Sequence, residues 1–315
     1  MRASLRESKD TLCGVYAIVA TPMKKDYSLD LRRLREQIRF MVEGGIRTGT
    51  GILVPLGAGG EGYHLSSEEL VQAARVIVET ARGEVPVYPG CAPASTFVAR
   101  DICRAYQEIG ASGVQLSPPF YYQPSEQEYL DHYRICAEAA PRLGIIAYNS
   151  WWNSVDVQPE TLGKLAEIPQ VIGIKWSSPS NTNYQRALRL YGDRFSFIDN
   201  QITGTGPLGY MLGIRGHVSS VPNFAPQYEL DLLRLLRDKQ WGAALQKLEA
   251  FVIPLYEYLG KMYKQGLHGE GSHWKACCEL AGRPIGPPRP PHKPYTAKQK
   301  AGLRKIFKRA GFLAS

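Results

Sequence analysis

The sequence predicts a (β/α)8 barrel followed by a helical C-terminal extension. One observation is a run of eight consecutive strand-to-helix alternations, some twenty to forty residues apart, with no linker-like stretch among them. Such a run is the signature of a closed parallel barrel rather than an open sheet. The other is size: 315 residues at 44% hydrophobic composition can bury one barrel of about 250 residues and leave a remainder. The organisation that follows is a polar lead-in over residues 1–13, the barrel over 14–238 and the extension over 239–315.

In chain order, residues 14–20 read as a strand closed by Thr21-Pro22, and Leu31, Leu34, Ile38 and Met41 recur at helical spacing until Gly44-Gly45. Residues 51–56 form a second strand that runs into the glycine-rich loop 57–62. Ser66 and Glu69 then make a capping box for a helix whose apolar face is Leu70, Ala73, Ala74, Ile77 and Ala81. Strands at 85–88, 114–116 and 145–148 alternate with helices carrying Val98, Ile102, Ala105 and Ile109, then over 126–140, then from Pro159. The apolar strand 171–175 leads to a helix near 184–191, residues 195–199 to a segment at 207–212, and 216–220 to a helix at 228–236. The extension contains helices over 241–263 and 274–280, a proline-rich strap at 284–294 and a last helix from Thr296.

Composition narrows the function classes. No stretch approaches the ~20 apolar residues of a membrane span, and residues 1–9 are charged, without the apolar run of a signal peptide. The expectation is a cytoplasmic protein with no membrane partner. The six cysteines form no C-x-x-C pair and no metal-site spacing, so reduced, buried thiols are expected. The net charge of +9 is concentrated in the nine Lys and Arg residues after Glu279, with no acid among them, and the rest of the chain is balanced. A basic terminal helix with so few aromatics near it reads as a solvated face, and no nucleic-acid partner is expected.

A barrel of this type places its chemistry at the carboxyl ends of its strands. The strand 171–175 ends abruptly in Lys175. A primary amine there either snorkels to solvent or enters a pocket as a nucleophile, and the second role requires desolvation or charge to strip its proton. Tyr148 ends the preceding strand and either relays protons for that amine or hydrogen-bonds as a core tyrosine. The loop Gly57-x-Gly59-x-x-Gly62 matches a dinucleotide fingerprint literally, but its helix starts only near Ser66. Ala58, Gly59 and Gly60 are therefore read as an anion nest suited to a carboxylate, with Glu61 as a brace. Asp199 is a further candidate by position, and Ser177, Trp152 and Asn153 are further candidates for substrate contact. His268 and His273 have no third ligand near them, so no metal is expected.

Taken together, Thr21-Pro22, the 57–61 loop with its capping box, the run Pro119-Phe120-Tyr121-Tyr122-Gln123-Pro124, Tyr148-Asn149, Gly173-Ile174-Lys175 and residues 216–223 resemble the dihydrodipicolinate synthase/N-acetylneuraminate lyase family of Schiff-base aldolases. The resemblance implies a (β/α)8 barrel, a homotetramer built of tight dimers, and no cofactor beyond a covalent imine on Lys175. It further implies that Tyr148 is the catalytic tyrosine, that Tyr121 is contributed across the dimer interface, and that the Val218 carbonyl faces a bound 2-oxo acid.

This chain departs from the family pattern in two places. Ala58 and Gly59 stand where the family loop carries two hydroxyl residues, and Asn153 stands where the synthase has an arginine for a second carboxylate. The expected activity is that of a lyase acting on pyruvate or a longer 2-oxo acid, and not dihydrodipicolinate synthesis itself. A dehydratase of a 2-keto-3-deoxy sugar acid and a ligand-binding relative without turnover are the alternatives.

Overall fold

A computed structural model of the chain describes residues 4–313; the first residues of the lead-in and the last of the extension lie outside the described residues. Among the described residues eight parallel strands run in the order β2-β1-β8-β7-β6-β5-β4-β3. They are β1 (Gly14–Val19), β2 (Gly51–Pro55), β3 (Gly90–Cys91), β4 (Gly113–Leu116), β5 (Gly144–Tyr148), β6 (Val171–Trp176), β7 (Ser196–Asp199) and β8 (Gly216–Ser219). The ring closes through a parallel bridge between Leu53 and Val87. The third strand is the one that differs most from expectation. Residues 85–88 contribute that single bridge, and regular pairing starts only at Gly90, because Pro86 and Pro89 have no N–H to give to a ladder.

Each strand is followed by helix packed on the outside of the ring, and a cluster running from Val15 and Leu53 to Ala187 and Leu233 fills the space between the layers. Inside the barrel Tyr16, Ile18, Ile52, Val54, Tyr88, Ile146, Ile172 and Ile198 interdigitate. The lead-in is more ordered than expected. Ser4 and Glu7 form a capping box that starts a helix over Leu5–Thr11, and Leu12 after it plugs the amino-terminal end of the barrel. Gly173 makes room for that plug, since a Cβ there would stand 2.3 Å from the Leu12 side chain.

The extension forms a second apolar cluster around Phe224, Phe251, Trp274 and Phe307. Its long helix is interrupted by a π turn at Leu248–Val252 just before Ile253–Tyr263, where Pro254 cannot donate to the helical ladder. The helix Glu270–Leu280 begins four residues earlier than the sequence pattern indicates. The terminal helix Ala297–Arg309 turns Leu303 and Phe307 into the cluster and its basic residues outward. All six cysteines are free, and five of them are buried.

Besides the apolar cluster and the Met23 N–H that donates to the Ile285 carbonyl, a buried ion pair joins the extension to the barrel. Lys275 Nζ lies 2.5 Å from Glu61 Oε2 with both side chains almost wholly enclosed, and donates also to the Pro287 carbonyl at 2.7 Å. Glu61 Oε1 accepts from the Arg289 N–H at 2.8 Å, and the Arg289 guanidinium forks onto Glu69 at 2.6 and 2.7 Å. The glycine loop, the Ser67–Ala81 helix, the Glu270–Leu280 helix and the proline strap are thus tied at one point. Replacing Lys275 by Met leaves a buried carboxylate without its cation, which is expected to cost about 3–5 kcal/mol; a urea titration that found under about 1 kcal/mol would contradict this account of the clamp.

Candidate active site

Lys175 is the next-to-last residue of β6, in register with Tyr148 at the end of β5. Its ammonium sits 4.1 Å from the centroid of the Tyr148 ring and 5.5 Å from that of Tyr16, with only 6% of the residue exposed. Burial lowers its pKa to about 8, opposed by the attraction of Glu270. Near neutral pH a useful fraction of the amine is therefore unprotonated, which an ordinary surface lysine cannot offer. Burial pushes the Tyr148 hydroxyl up and Glu270 pushes it further, while the facing Asn200 side chain acts the other way. A tyrosine held neutral beside an amine can give and take a proton during addition to a carbonyl.

Both side chains open into a cavity of about 690 Å³ at the carboxyl ends of the strands. Its walls include Ala58 and Gly59 from the glycine loop, Trp152, Val218, and the Asn200–Gly204 segment, closed above by Tyr256, Tyr263 and Glu270 of the extension. A larger groove of about 850 Å³ between the Ser67–Ala81 and Thr96–Glu108 helices is far from the strand ends and lacks any nucleophile with a depressed pKa.

The structure brings together Lys175, Tyr148, Ala58, Gly59, Trp152 and Val218. Trp152 is half exposed and meets the Tyr148 ring edge-on at 5.8 Å between centroids. Gly60 lies just behind the cavity wall, its carbonyl accepting from Thr21 Oγ1 at 2.5 Å. Three candidates are elsewhere. Asn153 is exposed and its backbone N–H closes a turn onto Ser150. Ser177 is buried and donates to the Asn149 carbonyl at 3.2 Å. Asp199 is fully buried beneath the site, where its carboxyl accepts from the Gln201 N–H and the Thr205 hydroxyl, both at 2.8 Å. These two hold the loops after β6 and β7 rather than face a ligand. Tyr121 stands 88% exposed, clear of its own cavity, beside exposed Phe120 and Tyr122.

Sequence reasoning missed the roof. Glu270 is open to the cavity and otherwise enclosed, and burial raises its carboxyl pKa against the opposing influence of Lys175, Trp274 and Tyr263. The signal available was the pair of glycines around it. A Cβ on Gly271 would lie 2.3 Å from Glu61 Cγ and one on Gly269 2.3 Å from the His292 ring, so the backbone here is pressed against its neighbours on both sides. His273 in the same helix is buried against Tyr295, and among the described residues no cluster of three or more His, Cys, Asp or Glu is placed to hold a metal.

The family model described as the dihydrodipicolinate synthetase family matches residues 11–310. A 4-hydroxy-tetrahydrodipicolinate synthase of Syntrophus aciditrophicus is 34% identical over 214 residues, covering 68% of this chain and 71% of that protein. A Bradyrhizobium diazoefficiens protein named "Probable 5-dehydro-4-deoxyglucarate dehydratase" is 30% identical over 299 residues, covering 94% of this chain and 91% of that protein. Among solved structures, the chloride-inhibited dihydrodipicolinate synthase of Acinetobacter baumannii complexed with pyruvate has a TM-score of 0.84 at 26% identity, covering 96% of this chain and 100% of that one.

Lys175 also carries a stability consequence. Because its native pKa is lowered, the native state binds fewer protons than the unfolded chain from about pH 8 up to the ordinary lysine range, so stability rises with pH across that window. Below both values the penalty is complete, about 3 kcal/mol for a shift of this size. Lys175→Met is therefore expected to raise stability at pH 7 by up to about that amount and to remove the rise above pH 8. Thermal or urea unfolding at both pH values measures it, and a destabilised variant would contradict the assigned burial cost.

Proposed function

We propose that this chain, which belongs to the dihydrodipicolinate synthetase family, uses Lys175 to form an imine with pyruvate or a longer 2-oxo acid. Members of the family are lyases and dehydratases acting on 2-oxo acids, and this protein is an enzyme of that kind. The observation that carries the finer reading is a strand-end lysine, buried and with its pKa lowered to about 8, in contact with a tyrosine in the same cavity.

The neutral amine of Lys175 adds to the C2 carbonyl, and the carbonyl oxygen collects a proton from Tyr148 to give the carbinolamine. A second proton sent through Tyr148 lets that oxygen leave as water, and the positive imine then makes the C3 proton acidic. The resulting enamine either attacks an aldehyde or is the product of losing one. Water finally adds back to free the amine. The covalent imine provides the electron sink, so no cofactor is invoked.

Dehydration is the second reading, favoured by the relative named as a dehydratase, whose match spans 94% of this chain. The same imine would expel a hydroxyl group from the substrate chain in place of an aldehyde. Asn153, exposed and outside the cavity lining, supplies no charged fork for a second carboxylate.

Assembly as a dimer of dimers is part of the proposal, since an aromatic patch as exposed as Phe120, Tyr121 and Tyr122 is the kind of surface a partner covers. Tyr121 would then serve a neighbour's site, and Val218 would turn its carbonyl to the substrate.

Borohydride reduction in the presence of pyruvate tests the central step. The expected result is one covalent adduct per chain, located by peptide mass on Lys175 and abolished by Lys175→Ala; no adduct with any 2-oxo acid would end both readings. Release of pyruvate from a turned-over substrate marks the aldolase, and its absence the dehydratase. Tyr148→Phe is expected to lower kcat by about 10²- to 10⁴-fold while the adduct still forms slowly, and an unchanged kcat would remove Tyr148 from the proton path.

A further inference from the structure

At about 690 Å³ the cavity has room for a group much larger than pyruvate, so most of its wall faces whatever the enamine attacks or releases. Charge restricts that partner first. Of the residues lining the cavity Lys175 is the one cation, and Glu257 and Glu270 are the two acids. In the imine the positive charge on Lys175 is matched by the carboxylate of the 2-oxo acid itself. A phosphate or a second carboxylate would have to shed its water in a space with no further cation and with Glu257 exposed at the rim.

Hydrogen bonding restricts it further. The Tyr148 hydroxyl is faced by the Asn200 side chain, the Tyr256 hydroxyl by Ser220, and the Glu270 carboxyl by Tyr263 and the Trp274 indole. The polar groups of the wall are in this way engaged with one another, and Thr203 is the uncharged polar side chain left without such a partner among the described residues. A polyhydroxylated tail would give up its water here and find few donors or acceptors in return, a cost repeated for every unpaired hydroxyl. An apolar tail avoids it.

What remains uncovered is apolar, and Trp152 is the largest part of it. The residue lines the cavity with 50% of its surface exposed, so much of the indole has nothing packed on it. Its ring stands edge-on to Tyr148, 5.8 Å between centroids at 71°, and Trp151 abuts it at 5.5 Å and 82°. The Tyr148 ring lies 4.1 Å from the Lys175 ammonium, which puts the indole one ring away from the reacting amine. Ile18, Ile202, Ile253 and Leu259 continue the apolar surface. A flat, uncharged ring attached to the reacting carbonyl would cover the indole and remove its apolar area from water.

We propose that the partner of the enamine is an uncharged aromatic aldehyde, and that Trp152 is the specificity-determining residue that selects it by packing on the ring. The inference rests on the lysine-imine reading above, in its aldolase form. The enamine carbon bonds to the aldehyde carbon, the aldehyde oxygen takes up a proton to become a hydroxyl, and water frees the extended 2-oxo acid from Lys175. Cleavage runs the same steps backward and releases the aromatic aldehyde.

The test offers the enzyme pyruvate with benzaldehyde, glyceraldehyde or succinic semialdehyde, which are aromatic, hydroxylated and anionic in turn, and follows loss of the aldehyde. In the wild type kcat/KM should favour benzaldehyde over each of the others by at least ~10-fold. Trp152→Ala should cut the preference for benzaldehyde over glyceraldehyde by ~10-fold, chiefly through the KM for benzaldehyde, and Trp152→Phe should restore most of it. Thr203→Arg, which places a cation in the wall, should raise kcat/KM for succinic semialdehyde by ~10-fold. Addition to none of the three, equal use of all three, or equal losses on benzaldehyde and glyceraldehyde in Trp152→Ala would each overturn the substrate class. Equal losses accompanied by a change in oligomeric state on size exclusion would assign Trp152 to a subunit contact instead. In all of these outcomes the borohydride adduct of pyruvate on Lys175 still forms; its absence in the wild type would overturn the lysine reading and this inference with it. Should Trp152→Ala fail to fold by circular dichroism, the wild-type ranking and Thr203→Arg decide.

Discussion

The ion pair between Glu61 and Lys275 is the constraint on which the site depends. It is sealed from water at 2.5 Å, and its two ends belong to parts of the chain more than two hundred residues apart. Alone, such a pair does little for net stability, because desolvation consumes most of the attraction. Its value here is positional. It fixes the turn of the Glu270–Leu280 helix against the glycine loop closely enough that Gly271 has no room for a Cβ, and so sets Glu270 over the barrel mouth. Arg289, bonded to both Glu61 and Glu69, extends the same tie to the proline strap and the next helix. The extension is therefore part of the site and not an appendage.

Within that frame the chemistry follows from a shortage of water. Lys175 and Glu270 carry opposite formal charges, yet burial is the dominant influence on each and pushes both toward neutrality. An open site would leave them as an ammonium and a carboxylate, inert toward a carbonyl. Enclosure by Tyr256 and Tyr263 above and Tyr16 below makes the uncharged pair competitive. The cost falls on fold stability, the usual relation between a reactive group and the scaffold that holds it.

Much of this was legible in the sequence, for reasons that can be named. Eight apolar runs alternating with amphipathic helices report a barrel because both periodicities are local, and the strand ends then report the site because the barrel places them all at one mouth. Lys175, Tyr148, Ala58 and Gly59 were accessible in that way, and Trp152 and Val218 through the family resemblance. Asp199 and Ser177 lie at or just past strand ends, Asn153 entered through the resemblance, and all three face elsewhere, since such a residue can point into the cavity, back under its own loop or out to solvent, and the choice is made by neighbours on other strands. Pro86 and Pro89 moved the third strand for a local reason, the loss of two N–H groups, that apolar patterning underweights.

The sequence by itself determined the barrel, the strand that delivers the lysine and the glycine loop beside it, all consequences of periods and turns a few residues long. Only the tertiary structure decided what covers the site. Glu270 is nearly a hundred residues from Lys175 in sequence and is carried to it by a clamp between Glu61 and Lys275. A contact of that separation leaves no period in the chain; it exists because two buried charges had to find each other and because Gly59 and Gly271 left the backbones room to close.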